Sequence, residues 1–355
     1  MNCLIYADPH WSVSSSIVRG KGNLYSKRLE NIIQSLNWVT EVAIHHDCQT
    51  VICLGDFFDK ATLCAEEISA LKSIKYSEDI SYVFLAGNHE MGRSDHAYTS
   101  ADAFMVGGSW GGSVYAKPFS YDIGNTALCF LPYMLNGCDI EETFGKRDAT
   151  KKRILFSHND IKGVRMGAYL SQDGIDYETM CSNFDIIFNG HLHNRHQSDN
   201  LINVGNLTGQ NFSEDATIYS HGVYILDTDT LGYDFIENPY AFNFYKFDLT
   251  ENCSISAAED CLKKLKGNAV LTVKLSSLSP VFPQIKEMFV SGNKGEGYEI
   301  IESRVVLSHG KADEVEQSVP VKDISIDHIA EFRKFVLATL GDSALVVDEL
   351  DRIGR

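Results

Sequence analysis

The sequence predicts an α/β protein followed by a smaller α+β unit, and two observations indicate this. Over the first half of the 355-residue chain, short apolar runs alternate with helical patterns, which is typical of a largely parallel sheet covered by helices. Near Pro239 the pattern changes to strand, helix, strand, helix and strand, up to about residue 308. We therefore expect a main domain built on sheets and a compact second unit after it.

The principal predicted strands are apolar runs that end in polar residues, at 3–7, 50–54, 82–86, 154–158 and 184–188. Helices are predicted over 25–46, 64–75 and 177–183, the first because its apolar residues recur at helical spacing. Further strands are predicted at 113–116, 119–123, 127–132, 201–204, 221–226 and 232–237. We expect the last three of these to form a second, more antiparallel sheet.

Beyond Pro239, strands from 242 and at 269–275 and 298–307 alternate with helices at 257–265 and 282–290. A polar tract over 309–321 precedes a last amphipathic helix, 327–340. The predicted division is 1–240, 241–308 and 309–355.

Composition limits the classes of partner and compartment. The net charge is -17, so the general field of the chain does not attract nucleic acid. The nine cysteines are odd in number and contain no C-x-x-C pair, which predicts free thiols in a reducing compartment. No run reaches transmembrane length. We expect a cytoplasmic protein without a membrane partner.

Residues able to bind a metal follow five of the predicted strands. They are Asp8 and His10, Asp56, Asn88 and His89, His158, and His191 and His193. Ligands bind at the carboxyl edge of such sheets, and carboxylate, amide and imidazole ligands suit manganese or iron, less clearly zinc. Singly, Asp8-Pro9 can start a turn and Asn88 can cap a helix. Because five strand ends share these residue types, one metal site is favoured over separate local roles.

In their order, the motifs D-x-H, G-D-x-x-D, G-N-H-E, a lone H and G-H-x-H resemble the calcineurin-like metallophosphoesterase family. Within it, the chain is most similar to the SbcD-type nuclease subunit of bacterial or phage DNA repair. That narrower resemblance depends on residues 131–133, 203–206, 212–214 and 221–223, and on the position of the α+β unit.

The resemblance implies a two-sheet sandwich flanked by helices, a small cap facing DNA, and a C-terminal helix that docks a partner. It also implies two divalent metal ions, Mn²⁺ first, with Fe or Zn as alternatives, sharing an activated hydroxide. One ion would be held by Asp8, His10, Asp56 and His193. The other would be held by Asp56, Asn88, His158 and His191, with Asp56 as the bridge.

The resemblance also implies that His89 is the hydrogen-bond donor or general acid. Asp59 would orient the His89 ring by accepting its N–H, or would instead cap the next helix. Glu90 would support the site or begin a helix. Arg93 and Arg195, which follow metal motifs, are candidates for phosphate contacts.

The predicted function is metal-dependent hydrolysis of DNA phosphodiesters, as exonuclease or endonuclease, in repair or recombination. The implied partners are DNA, an SbcC-like coiled-coil ATPase and a second copy of the chain. DNA is favoured because more than a hundred residues follow the esterase motifs, although the last helix could instead pack on the cap. The alternatives are a cyclic-nucleotide or small-molecule phosphodiesterase and a catalytically weak scaffold. The scaffold is disfavoured because no ligand is missing.

Overall fold

The structure is a computed structural model that describes residues 1–93, 98–103, 112–166 and 169–308. The predicted linker and last helix, 309–355, lie outside these residues, and the division into three domains stays a prediction. Among the helices of the described ranges, none is long and apolar enough to cross a membrane.

The strands belong to three larger sheets and two small ones. The first seven are β1 (Asn2–Tyr6), β2 (Thr50–Cys53), β3 (Ser81–Leu85), β4 (Gly112–Tyr115), β5 (Phe119–Ile123), β6 (Thr126–Leu131) and β7 (Lys152–Ser157). The next seven are β8 (Ile161–Lys162), β9 (Arg165–Met166), β10 (Tyr169–Leu170), β11 (Ile175–Asp176), β12 (Ile186–Asn189), β13 (His196–Ser198) and β14 (Leu201–Asn203). The last six are β15 (Gly222–Asp227), β16 (Tyr233–Glu237), β17 (Phe242–Leu249), β18 (Gly267–Ser276), β19 (Lys294–Gly295) and β20 (Tyr298–Ser308).

The α-helices of the described residues are mostly short. They are α1 (Lys27–His45), α2 (Ala65–Ala70), α3 (Ile140–Phe144), α4 (Tyr177–Asn183), α5 (Ile255–Leu262) and α6 (Phe282–Met288). The longest, α1, begins after Ser26, whose side chain accepts a hydrogen bond from the Leu29 backbone N–H. This cap satisfies one of the unpaired donors of the first turn.

Two six-stranded sheets pack face to face as a sandwich. The first has the order β16-β15-β1-β2-β3-β4, and the second has the order β13-β14-β12-β7-β6-β5. Alternate residues of β1 explain the layers: Cys3 and Ile5 pack with Phe156 of the second sheet, whereas Leu4 and Tyr6 pack in the cluster that contains apolar residues of α1. This helix-flanked sandwich confirms the predicted fold class.

The third sheet, β17-β18-β20-β19, follows the sandwich in sequence. Ile285 of α6 and Ala258 of α5 are fully buried in its apolar cluster, so the α+β elements predicted beyond Pro239 are present. Its first strand is attached to the preceding segment, because the Ala216 N–H donates to the Phe244 carbonyl at 2.8 Å.

Two details of the prediction are wrong. β15 and β16 do not form a second sheet with β14: they extend the first sheet, antiparallel to β1, while β14 pairs in parallel with β12. Periodicity identifies a strand but not its neighbour, which long-range packing decides. The helix predicted over 64–75 ends at Ala70, and a 3₁₀ turn, Leu71–Ser73, follows it. All nine cysteines are free, as predicted, and Cys64 is exposed.

Candidate metal centre

The carboxyl ends of β1, β2, β3, β7 and β12 lead into loops that bring the predicted ligands together. We divide them into two groups that are used below. The first half is Asp8, His10 and His193, and the second half is Asp56, Asn88, His158 and His191. Within the first half, and among the carboxylate and imidazoles of the second, the ligand atoms lie within 4.8 Å of one another. Residues up to 185 positions apart in sequence therefore converge on one edge of the sandwich.

In the first half, two imidazoles face each other. The Nε2 atoms of His10 and His193 are 3.1 Å apart. The Oδ1 atom of Asp8 is 3.9 Å from His10 Nε2. The Asp8 carboxylate also accepts the His191 backbone N–H at 3.0 Å, which joins this half to the other.

In the second half, three kinds of ligand atom converge. His158 Nε2 is 3.1 Å from Asp56 Oδ2 and 3.3 Å from Asn88 Oδ1. His191 Nδ1 is 3.0 Å from the same Asn88 oxygen. These contacts place one carboxylate, one amide oxygen and two imidazoles around a common point.

Asp56 lies between the halves. Its Oδ2 atom is 3.1 Å from His158 Nε2 and 4.0 Å from His10 Nε2, while its Oδ1 atom accepts the His89 backbone N–H at 2.9 Å. This position is compatible with the predicted bridge, and the bridging role itself stays a prediction.

The second nitrogen of each ligand histidine lies near a carbonyl or carboxylate oxygen, and this favours the tautomer with the hydrogen on that nitrogen. The pairs are His10 Nδ1 with Asp59 Oδ1 at 3.3 Å, His158 Nδ1 with the Leu54 carbonyl at 2.9 Å, His191 Nε2 with Asp160 Oδ1 at 3.0 Å, and His193 Nδ1 with Glu214 Oε1 at 2.9 Å. A carbonyl or carboxylate oxygen only accepts, so a hydrogen bond to it needs the hydrogen on the outer nitrogen. The other nitrogen then presents a lone pair to the centre.

This tautomer pattern fits a cation. In this tautomer His10 Nε2 and His193 Nε2, which are 3.1 Å apart, would both be acceptors, and so would His158 Nε2 beside Asp56 Oδ2. Facing lone pairs repel each other unless a positive charge lies among them. Divalent cations in both halves would relieve this repulsion. The nitrogen and oxygen donors suit manganese, iron or zinc, and the identity of the metal stays a prediction.

Burial agrees with this chemistry. It lowers the pKa of His10 to about 4 and lowers the pKa of His158, so both rings are neutral near pH 7 and able to coordinate. Burial, and then the nearby Asp56 carboxylate, raise the pKa of Asp8 well above its usual value. Buried like charges without a counter-ion are costly, which again favours cations here.

The backbone is strained where the ligands are attached. Asp8, His10, Asp56 and His191 have φ values of 51°, 47°, 46° and 73°, in the left-handed region that non-glycine residues rarely adopt. Gly87 is required by space, since a Cβ atom there would lie 2.2 Å from Asp56 Oδ1. Such strain is typical of sites whose geometry is held by the surrounding fold.

His89 lies next to the centre and is more open than the buried ligands. Its side chain is 39% exposed, and its Nε2 atom is 3.9 Å from Asp56 Oδ2. The ring is held by the Asp59 main-chain carbonyl, 2.7 Å from Nδ1, whereas the Asp59 carboxylate is 4.0 Å away. The hydrogen bond predicted for this carboxylate is therefore made by the carbonyl, because the turn directs the side chain toward His10 instead. Asp59 does not cap α2 either, since Cys64 occupies that position.

Glu90 is fully buried and supports the loops of the second half. Its carboxylate accepts the backbone N–H groups of Asp56, Phe58 and Gly87 at 3.1, 2.7 and 2.7 Å. Of the two roles left open by the sequence, support of the site is the one that these contacts favour.

The two predicted phosphate contacts differ in their surroundings. Arg93 is exposed. The guanidinium of Arg195 lies over the Phe235 ring, 4.2 Å from its centroid. Contact of either side chain with phosphate stays a prediction.

Sequence reasoning assigned no orienting role to Asp160 or Glu214. Asp160 belongs to none of the motifs, and Glu214 entered only through the resemblance at 212–214. Each is separated from its histidine by about 20 to 30 residues, so local spacing offers no signal for the pairing.

The chain is similar to known proteins in sequence and in fold. Residues 1–195 match the family model described as calcineurin-like phosphoesterase. No curated protein matches the chain significantly. Similar solved structures include an archaeal phosphodiesterase (16% identity, 67% of this chain and 99% of that chain, TM-score 0.34). Others are a dimetal phosphatase from Danio rerio (12%, 63% and 91%, 0.40) and the protein TT1561 of Thermus thermophilus (9%, 66% and 98%, 0.38).

The matched region spans more than half of the chain and contains all seven predicted ligands together with His89. The chain belongs to the calcineurin-like phosphoesterase family, and its family and metal-binding clusters identify it as a metal-dependent phosphoesterase.

Proposed function

We propose that the protein is a metal-dependent DNA nuclease, the nuclease subunit of an SbcC/SbcD-like repair or recombination complex. The observation that carries the hydrolytic part is the meeting of two ligand groups at Asp56, with the open His89 beside them. When bound, two metals supply Lewis-acid polarisation of a phosphate ester and lower the pKa of water. Asp8, His10 and His193 would hold one, Asn88, His158 and His191 the other, and Asp56 both.

His89 is the residue proposed to handle a proton. Its Nδ1–H donates to the Asp59 carbonyl, so Nε2 is the atom that gains or loses a proton. Protonated at Nε2, the ring donates to a phosphate oxygen or to the leaving oxygen. A positioned acid of this kind contributes about 10²–10⁴-fold to the rate.

The proposal of DNA as substrate is supported by the third sheet and by its attachment. The segment 206–216, which carries Glu214, is hydrogen-bonded to β17: Gly209 N–H donates to the Phe242 carbonyl at 3.1 Å, and Ala216 N–H donates to the Phe244 carbonyl at 2.8 Å. The segment that holds a metal-ligand histidine is thus also bonded to the α+β elements over residues 242–308, which add surface beyond the sandwich. Such a surface suits a polymer better than a small ester.

The net charge of -17 is unfavourable for binding DNA alone. An SbcC-like coiled-coil ATPase would contribute basic surface, and we propose residues 309–355 as its docking segment and a homodimer as the working unit. A pull-down tests the docking. Deletion from Lys322 onward should abolish ATPase binding, and retained binding would remove this part of the proposal.

The experiment on function compares three substrates with Mn²⁺: end-labelled linear DNA, a small phosphodiester and a cyclic nucleotide. We expect EDTA to stop the cleavage of DNA, and His89→Ala to lower its rate about 10²–10⁴-fold without loss of bound Mn²⁺. His45→Ala is the matched control, because His45 is an exposed helix residue away from the centre.

Cleavage of the small esters alone, even after addition of an ATPase partner, would contradict the DNA proposal and support the small-molecule phosphodiesterase. Bound metal without cleavage of any substrate would support a scaffold. Equal rates for wild type and His89→Ala would contradict the role of His89.

A further inference from the structure

Two neighbouring ligand histidines are held by carboxylates from distant segments. His191 and His193 are two residues apart, yet the Nε2 atom of His191 meets Asp160, after β7, and the Nδ1 atom of His193 meets Glu214, in the segment 206–216. Each carboxylate contacts only one of the two rings in these pairs. The two halves of the centre therefore have separate supports.

The Glu214 carboxylate is a buried hydrogen-bond acceptor. It is fully buried, and its two oxygens accept four hydrogen bonds. The donors are His193 Nδ1 at 2.9 Å, Asn206 Nδ2 at 3.0 Å, the Gln210 backbone N–H at 2.7 Å and Asn211 Nδ2 at 3.0 Å. Burial by itself would raise the pKa of Glu214, but the hydrogen bonds from His193 and Asn206 outweigh it and lower the pKa. A buried carboxylate whose acceptor positions are filled in this way holds its partner in one orientation.

Asp160 has fewer contacts and is more open. Its side chain is 40% exposed, with Oδ1 3.0 Å from His191 Nε2, and Oδ2 accepts the Tyr133 hydroxyl at 3.3 Å. Its partners His191 and Tyr133 are both partly exposed, so a substitution at Asp160 leaves no fully buried group unpaired.

We propose that Glu214 and Asp160 are positioning residues that act on different metals: Glu214 through His193 on the first half, and Asp160 through His191 on the second. Each holds the hydrogen of its histidine on the outer nitrogen and directs the other nitrogen to the centre. The inference rests on the metal-dependent function proposed above.

The test measures Mn²⁺ binding by calorimetry, independently of catalysis. We expect Glu214→Gln and Asp160→Asn each to lower the affinity for one of the two Mn²⁺ ions about 10–100-fold. Asp199→Asn is the matched control, because Asp199 also accepts a tyrosine hydroxyl, that of Tyr177, and contacts no ligand histidine.

Double-mutant cycles show whether each carboxylate acts through its histidine. In a His193→Ala background, Glu214→Gln should cause no further loss, whereas Asp160→Asn should still weaken the remaining ion. The reverse should hold in a His191→Ala background. A merely structural role would lower affinity equally in both backgrounds.

The outcomes separate the two proposals. If the wild type and both variants bind two Mn²⁺ ions equally tightly, the positioning roles are overturned and the metal-dependent function stands. Wild type that binds no Mn²⁺ would overturn both. If Glu214→Gln does not fold, the Asp160→Asn cycles decide, and equal losses in both backgrounds would overturn the inference.

Discussion

The two halves of the centre differ in what holds their histidines. In the first half both supports are side chains, Asp59 at 3.3 Å from His10 and Glu214 at 2.9 Å from His193. In the second half, His158 is held by a main-chain carbonyl, that of Leu54. A main-chain support is present whatever side chain Leu54 carries. The second half therefore has one support that a side-chain substitution does not remove, and its other support is the Asp160 side chain on His191, whereas both supports of the first half can be substituted.

Exposure does not explain this difference. Each half contains one buried histidine, His10 at 2% or His158 at 0%, and one partly exposed histidine, His193 at 27% or His191 at 19%. The exposed member of each pair comes from the same loop, 190–193. The asymmetry thus lies in the supporting contacts.

The largest effect is expected from substitution of Asp56, which lies between the two halves. Asp56→Asn should weaken binding of both Mn²⁺ ions by more than about 100-fold, the upper end of the loss caused by removing an outer contact, because Asp56 faces histidines of both halves. Calorimetry would measure this, with Asp122→Asn, an exposed strand position, as control. Loss of one ion alone would show that Asp56 serves one half only.

Glu90→Gln should damage the loops of the second half. The amide nitrogen of glutamine cannot accept the backbone N–H groups that Glu90 now binds. We expect the free energy of unfolding to fall by roughly 3 kcal/mol, measured by chemical denaturation of the metal-free protein above pH 8, because burial raises the pKa of Glu90 to about 8. Glu141→Gln, at an exposed helix position, is the control, and equal stability of the two variants would contradict the role of Glu90.

The free energy of unfolding should depend on pH through His221. This side chain is 2% exposed and interacts electrostatically with Glu214, which supports the first half. Burial lowers its pKa from 6.5 to about 4, so between these values the unfolded chain binds the extra proton. The contribution of neutral His221 to the free energy of unfolding is fully present above pH 6.5 and is lost as the pH falls toward 4. From pH 7 to pH 5 the loss through His221 should be about 2 kcal/mol.

Denaturation of the metal-free protein at the two pH values measures this loss, and His221→Gln should make it smaller. An unchanged pH dependence in this variant would assign the loss to other groups.

The smallest expected effect concerns Asp59. Because the main-chain carbonyl holds His89, Asp59→Asn should leave the pH profile of turnover unchanged. The carboxylate faces His10, so Mn²⁺ affinity of the first half should fall less than about tenfold. A shifted pH profile would show instead that the Asp59 carboxylate acts on His89.

The seven ligands could be predicted as a group because five apolar runs are followed by residues that bind metals. Each of these motifs can be recognised from residues that are neighbours in the sequence. Parallel strands of one sheet place their carboxyl ends at one edge, so the gathering of Asp8, Asp56 and Asn88, which follow β1, β2 and β3, could be expected from that pattern. His158 follows a strand of the second sheet, and it reaches the same centre because the two sheets pack face to face. The pairing of β15 with β1 could not, since periodicity does not identify a neighbour.

What the sequence determined by itself is therefore the layered α/β architecture and the residue types at the strand ends, both of which follow from hydrophobic periodicity. Only the tertiary structure decided which oxygen holds each histidine: a carbonyl for His89 and His158, and a carboxylate for His191 and His193. The physical reason is that a hydrogen bond depends on the position of single atoms. Backbone turns and packing between residues far apart in the chain set those positions.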